Sequence, residues 1–182
     1  FQTYVKYELG KMNHVLRLKS RKQQRVELFK DKPIQYYNIG YTDCFNHIFG
    51  HYFAQGNKYV SQDELEFWLN TTNYDDLMDA LGKDDVLRNE VFREIVLIKG
   101  MKDAFTDGLY ERQDIIRMLE KIASRTKFEQ HRKTALQTID YLNKISHKGL
   151  SIKDFEIKNV MGETQNLQQF IQKPLVLNFV KL

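Results

Sequence analysis

The chain has 182 residues, with 28 Lys and Arg against 24 Asp and Glu, a net charge of +4 and a pI near 9.0. At 42% hydrophobic and 29% charged residues it has the balance of a globular chain rather than a disordered one, and no apolar run approaches the roughly 18 residues a membrane span needs. The mild positive excess is compatible with anionic partners without demanding them, and the lone cysteine, Cys44, excludes an intrachain disulfide.

Only two prolines, Pro33 and Pro174, interrupt the chain, which favours helices because proline breaks a helix interior. From Gln2 to Phe29 the pattern is charged and helical: Val5, Leu9, Met12 and Leu16 recur at steps of four, three and four, one helix face, with Gly10 as an interruption. Asp31-Lys32-Pro33 forces a break. An aromatic stretch follows, in which Tyr41, Phe45, Phe49 and Tyr52 keep a helical step and Thr42 or Asp43 serves as the cap, with Gly56-Asn57 as the end.

Ser61 and Glu64 have the spacing of a capping box, predicting a short helix through Trp68 or Leu69. Tyr74 to Leu81 reads as another, closed by Gly82. The longest pattern runs from Asp85 to Phe105, where Leu87, Val91, Ile95, Ile98, Met101 and Phe105 form a stripe with a break expected at Gly100. Ile115, Ile116, Met118, Leu119 and Ile122 mark the next helix. Leu136, Ile139, Leu142 and Ile145 mark the last, ended by Gly149. Short helices with polar breaks and no strand before residue 150 predict an all-α bundle or array.

The texture changes at Gly149. Phe155 and Ile157 alternate with Asp154, Glu156 and Lys158, a strand period. Met161-Gly162-Glu163 reads as a turn and Leu167 to Ile171 as a helical turn. Leu175-Val176-Leu177-Asn178-Phe179-Val180, introduced by Pro174, reads as a strand buried on both faces. The division is therefore a helical domain over 1–148 and a different unit over 149–182.

Four groups of residues are candidates for chemistry or binding. Cys44, His47 and His51 have the spacing of three metal ligands along one helix face, short of the fourth that zinc wants; packing within the aromatic face is the better reading. Lys19, Arg21, Lys22 and Arg25 form a basic cluster able to meet phosphates, but no aromatics interleave it and Glu27 and Asp31 follow, so nucleic-acid binding is disfavoured. Asp75, Asp76, Asp79, Asp84 and Asp85 stand where acids favour helix N-termini. The concentration of aromatics from Tyr36 to Trp68 is core before it is a partner groove. No phosphate loop, Ser-His-Asp set or metalloprotease helix motif is present, and no cofactor is called for.

Asp154-Phe155-Glu156-Ile157, then Gly162, Leu167 and Phe170, then Lys173-Pro174-Leu175-Val176-Leu177-Asn178-Phe179 resemble the opening of TlpA-like redoxins, thioredoxin-like proteins of the bacterial envelope. In that family an Asp-Phe strand leads to a glycine turn, a short Leu-x-x-Phe segment and a Gly-Lys-x-Val-x-Leu-Asn-Phe strand. Glu94 to Gly100, Asp103 to Asp107, and Glu129, His131 and Arg132 are similar to the helical region that precedes the redoxin domain in some members. Lys153 and Gln172 depart from the proline and glycine that the family favours there.

The resemblance implies a mainly α fold, a multi-helix bundle followed by a short β-hairpin-like start of a thioredoxin-like α/β domain. It also implies thiol–disulfide exchange for the family as a whole, in a periplasmic or envelope location. The family's Cys-x-x-Cys lies just beyond the Asn-Phe strand, past Leu182, so this chain is expected to be inactive, an accessory helical region whose parent continues further. Its start at Phe1, without methionine, is expected to reflect processing or excision. A protein partner or the chain's own redoxin domain is the expected partner, with a dimer through the C-terminal strand as a variant. A non-catalytic helical scaffold is the alternative, and nucleic-acid binding through the basic N-terminal helix a further one.

Overall fold

Local signals set most helix boundaries. A computed structural model describes residues 2–54, 58–146, 156–158 and 161–166, which are mainly helical. The helices are α1 (Gln2–Val15), α2 (Arg21–Phe29), α3 (Ile39–Ile48), α4 (Gln62–Asn70), α5 (Tyr74–Leu81), α6 (Glu90–Asp107), α7 (Arg112–Arg125) and α8 (Glu129–Ser146). The chain divides into two compact units, Phe1–Leu142 and Asn143–Leu182.

Within the first unit, Ser61 and Glu64 form the expected capping box at α4, and Ser20 with Gln23 forms a second one at α2. The α3 cap is Asn38, whose side chain accepts from the Tyr41 amide, instead of Thr42 or Asp43. That helix ends at Ile48 with Phe49 as its C-cap, so Tyr52 lies beyond it. α6 begins only at Glu90, after Asn89, whose side chain caps it by accepting from the Phe92 amide, and Gly108 closes it in the left-handed region at φ +67°.

The core has an aromatic part and an aliphatic part. Phe29 meets Tyr41, Phe49 and Phe92 with centroids 5.3, 5.4 and 5.8 Å apart, and Tyr7 meets Tyr41 edge-on at 4.9 Å. Leu65, Leu69, Leu77, Leu81, Leu97, Met101, Ile115, Leu119 and Ile122 fill the rest, where α4, α5, α6 and α7 pack together. α6 runs through both, burying Phe92, Val96, Leu97, Ile98, Met101 and Phe105.

Two apolar faces lie elsewhere than the periodicity placed them. α1 packs on α3 through Tyr7 and Gly10, leaving Leu9, Met12 and Leu16 more than half exposed. Gly10 does not interrupt the helix; it permits the approach, since a Cβ there would sit 2.6 Å from Leu28 Cδ1 and 3.2 Å from Cys44 Sγ. α8 buries His131, Ala135, Thr138 and Leu142, while Leu136 and Ile145 are exposed. Gly100 likewise leaves α6 unbroken, because the Phe53 ring occupies the space a side chain would need, 2.3 Å from the Cβ position.

The described residues of the second unit contain β1 (Glu156–Lys158) and β2 (Thr164–Asn166), paired antiparallel with Ile157 opposite Gln165. Gly162, at φ +80°, lies on the segment between them. A ladder of three pairs is not by itself the start of an α/β domain. The expected strand Leu175–Val180, the Leu167–Ile171 segment, the Gly56-Asn57 and Gly149 ends, and the motif residues Asp154, Phe155, Leu167, Phe170, Lys173, Pro174, Asn178 and Phe179 lie outside the described residues.

Candidate functional site

Glu94 opens the apolar run Ile95-Val96-Leu97-Ile98 on a helix enclosed on most sides, and its carboxylate comes inside with it, 1% exposed. A buried carboxylate must find donors. It has three. Tyr74 Oη donates to Oε2 at 2.8 Å, while Thr126 Oγ1 and His131 Nδ1 donate to Oε1, the latter at 2.7 Å. His131, fully enclosed, turns its Nε2 to the hydroxyl of Tyr36, 2.7 Å away. Thr126 in turn accepts the Phe128 amide at 3.1 Å.

Burial alone would raise the Glu94 carboxyl; the hydrogen bonds from His131, Thr126 and Tyr74 together outweigh it and hold the group below the usual carboxylate range. The phenols of Tyr74 and Tyr36 are pushed up, first by burial and then by Glu94, through its hydrogen bond and charge at Tyr74 and its charge at Tyr36, so both remain protonated at neutral pH. The network thus ties α5, α6, the end of α7, α8 and the loop before α3.

Tyr36 also lines a cleft of about 240 Å³ bounded by Phe45, Ile95, Lys99, Lys102 and Thr138. A carboxylate orienting a histidine toward a hydroxyl is the geometry of a base and its orienter. The hydroxyl here belongs to a phenol with a raised pKa, and Lys99 is engaged by Asp103. The arrangement holds five segments in register; among the described residues it has no activated nucleophile.

No known protein family, curated protein or solved structure matches the chain. The resemblance to redoxins therefore rests on its motif residues alone.

The residues singled out for metal binding do not converge. Cys44 is wholly enclosed behind α1, where burial and then the Glu8 charge push its thiol up to about 12. His47 donates from Nδ1 to the Asp43 carbonyl at 2.8 Å. His51 follows the end of α3 at φ +52° and donates to Asp107 Oδ2 at 2.7 Å. Among the described residues no group of three or more His, Cys, Asp or Glu could hold a metal ion.

The basic cluster is also dispersed. Arg25 stacks over Phe49 and Tyr52 at 5.0 and 4.9 Å, Lys19 pairs with Glu27 at 2.6 Å, and Arg21 reaches toward the Gly50 carbonyl. Asp75 and Asp76 occupy the first turn of α5, with Asp75 paired to Arg125 at 3.0 Å. The Glu94–His131 pairing escapes a reading of spacing because the two residues are 37 apart and on different helices. The visible signal was a carboxylate opening an apolar run.

Proposed function

We propose that these residues form the helical accessory region of a TlpA-like thiol–disulfide oxidoreductase of the bacterial envelope, joined to the first elements of its redoxin domain, and carry no redox chemistry themselves. The observation that carries the reading is the ordered motif from Asp154-Phe155 through Gly162 to Lys173, Asn178 and Phe179, falling within a compact unit of its own, Asn143–Leu182. Gly162 at positive φ between two paired strands agrees with the glycine turn of that motif. The only thiol in the sequence, Cys44, is buried and has a raised pKa, the opposite of a redox nucleophile.

The thioredoxin-like start, the envelope location and the partnership with a redoxin domain come from the resemblance. Reduction of insulin disulfides by the purified 182-residue chain is expected to stay at the buffer rate; clear turnover overturns the reading.

A second reading, a helical scaffold whose redoxin-like end carries no chemistry even in its parent, is favoured by the aliphatic side chains that α1 presents to solvent. A Cys-x-x-Cys encoded shortly after Leu182 selects the oxidoreductase; its absence there selects the scaffold.

A further inference from the structure

α1 carries an aliphatic stripe on the side turned away from the core. Val5, Leu9, Met12 and Leu16 follow one another along the face opposite Tyr7 and Gly10, the residues that pack on α3. The Leu16 amide still donates to the Met12 carbonyl at 2.9 Å, so the stripe continues one residue past Val15. Leu9, Met12, Val15, Leu16 and Leu18 are 53 to 67% exposed. Scattered exposed leucines need no explanation, but a row of aliphatic side chains on one helix does.

The charge around that row is as uneven as its hydrophobicity. Between Gln2 and Lys22 there are six Lys and Arg and one acid, Glu8, a net of +5 in a chain whose total is +4. Lys11 is engaged by Glu8 and Asp43, and Lys19 by Glu27. Lys6, over the Tyr7 ring at 5.4 Å, and Arg17 are exposed and enter no ion pair among the described residues, whereas Lys22 lines a different cleft with Arg25, Tyr52 and Asp84. Lys6 and Lys19 border the groove that Val5, Leu9, Glu27 and Leu28 also line.

We propose that this face of α1, with the turn that follows it, docks on an anionic lipid surface, the aliphatic row entering the headgroup boundary and the cations remaining among the headgroup phosphates. A helix with aliphatic residues on one side and Lys and Arg at its margins lies in the plane of a membrane interface, and a leaflet of negative charge attracts such cations. A second copy of the chain would set unpaired cations against unpaired cations. Nucleic acid would satisfy the cations and leave the leucines in water. This proposal does not depend on the redoxin reading, since it uses only the first unit.

The test is co-sedimentation of the 182-residue chain with vesicles of phosphatidylcholine alone and of phosphatidylcholine with an equal part of phosphatidylglycerol. Two cations outside any ion pair, Lys6 and Arg17, predict about a thirty-fold preference for the anionic vesicles, lost at high salt. Leu9→Gln with Leu16→Gln lowers binding by about ten-fold or more, and Lys6→Gln with Arg17→Gln by a similar factor. All four positions are exposed, so the melting curves of both variants should match the parent. The proposal is overturned by equal partition into both vesicle types or by unaltered binding of the leucine variant. It is overturned equally by a concentration-dependent dimer that the leucine variant abolishes, or by retention of duplex DNA in place of vesicles.

Discussion

His131 Nδ1 on α8 lies 2.7 Å from Glu94 Oε1 on α6, with the two side chains 0% and 1% exposed. A contact to a carboxylate so enclosed is poor evidence of net stabilisation, since desolvation offsets its electrostatic gain. Losing one partner is another matter. Glu94→Ala or His131→Ala strands a buried polar group and is expected to cost about 3–5 kcal/mol, read as a fall in the urea midpoint. Tyr36→Phe, which removes only the outer hydrogen bond, should cost about 1 kcal/mol. Equal effects of all three would contradict the network.

Acid should find the same site. The Glu94 carboxyl lies below its ordinary value of 4.5 in the folded chain, so the folded form binds fewer protons than the unfolded form in that range. Its contribution is fully present above 4.5 and is lost as pH falls through the lower folded value. In Glu94→Gln that component is absent. The stability difference between parent and variant, followed by urea unfolding from neutral pH downward, should be constant above about pH 5.5 and shrink below 4.5.

Gly100 and Gly10 separate space from propensity. Alanine favours a helix interior by about 1 kcal/mol over glycine. At Gly100 the added methyl meets the Phe53 ring, and a net loss of about 1–3 kcal/mol is expected from overpacking. Phe53→Leu alongside Gly100→Ala should recover part of it. At Gly10 the nearest atom is the end of the Leu28 side chain, so Gly10→Ala should cost less than Gly100→Ala in thermal unfolding.

Cys44 should be chemically silent. Its thiol is enclosed and pushed up to about 12, so very little thiolate exists at neutral pH. Ellman's reagent should label it only as fast as the chain unfolds and immediately in denaturant; rapid labelling of the native chain would contradict its placement.

Capping, period and turn chemistry made much of the helical unit legible. Ser61 and Glu64 mark α4 as they stand in sequence, and Tyr74 to Leu81 with Gly82 marks α5. Periodicity also identified α1 and α8 as helices but could not say which face would be covered. In α1 the close approach allowed by Gly10 decides it, and in α8 a polar residue, His131, is drawn inside by Glu94. The Cys44, His47 and His51 spacing assumed a helix that stops at Ile48, which puts His51 in a turn with Asp107. Long-range pairing of this kind leaves no local trace.

Backbone contacts at Leu175–Val180 test the central proposal most directly. In the purified chain, amide and α-proton NOEs across that hexamer should be of the sequential extended type, with cross-strand contacts to the Glu156–Lys158 and Thr164–Asn166 unit or to a neighbouring copy. Medium-range contacts between residues three apart, the mark of a helix, would contradict a redoxin beginning.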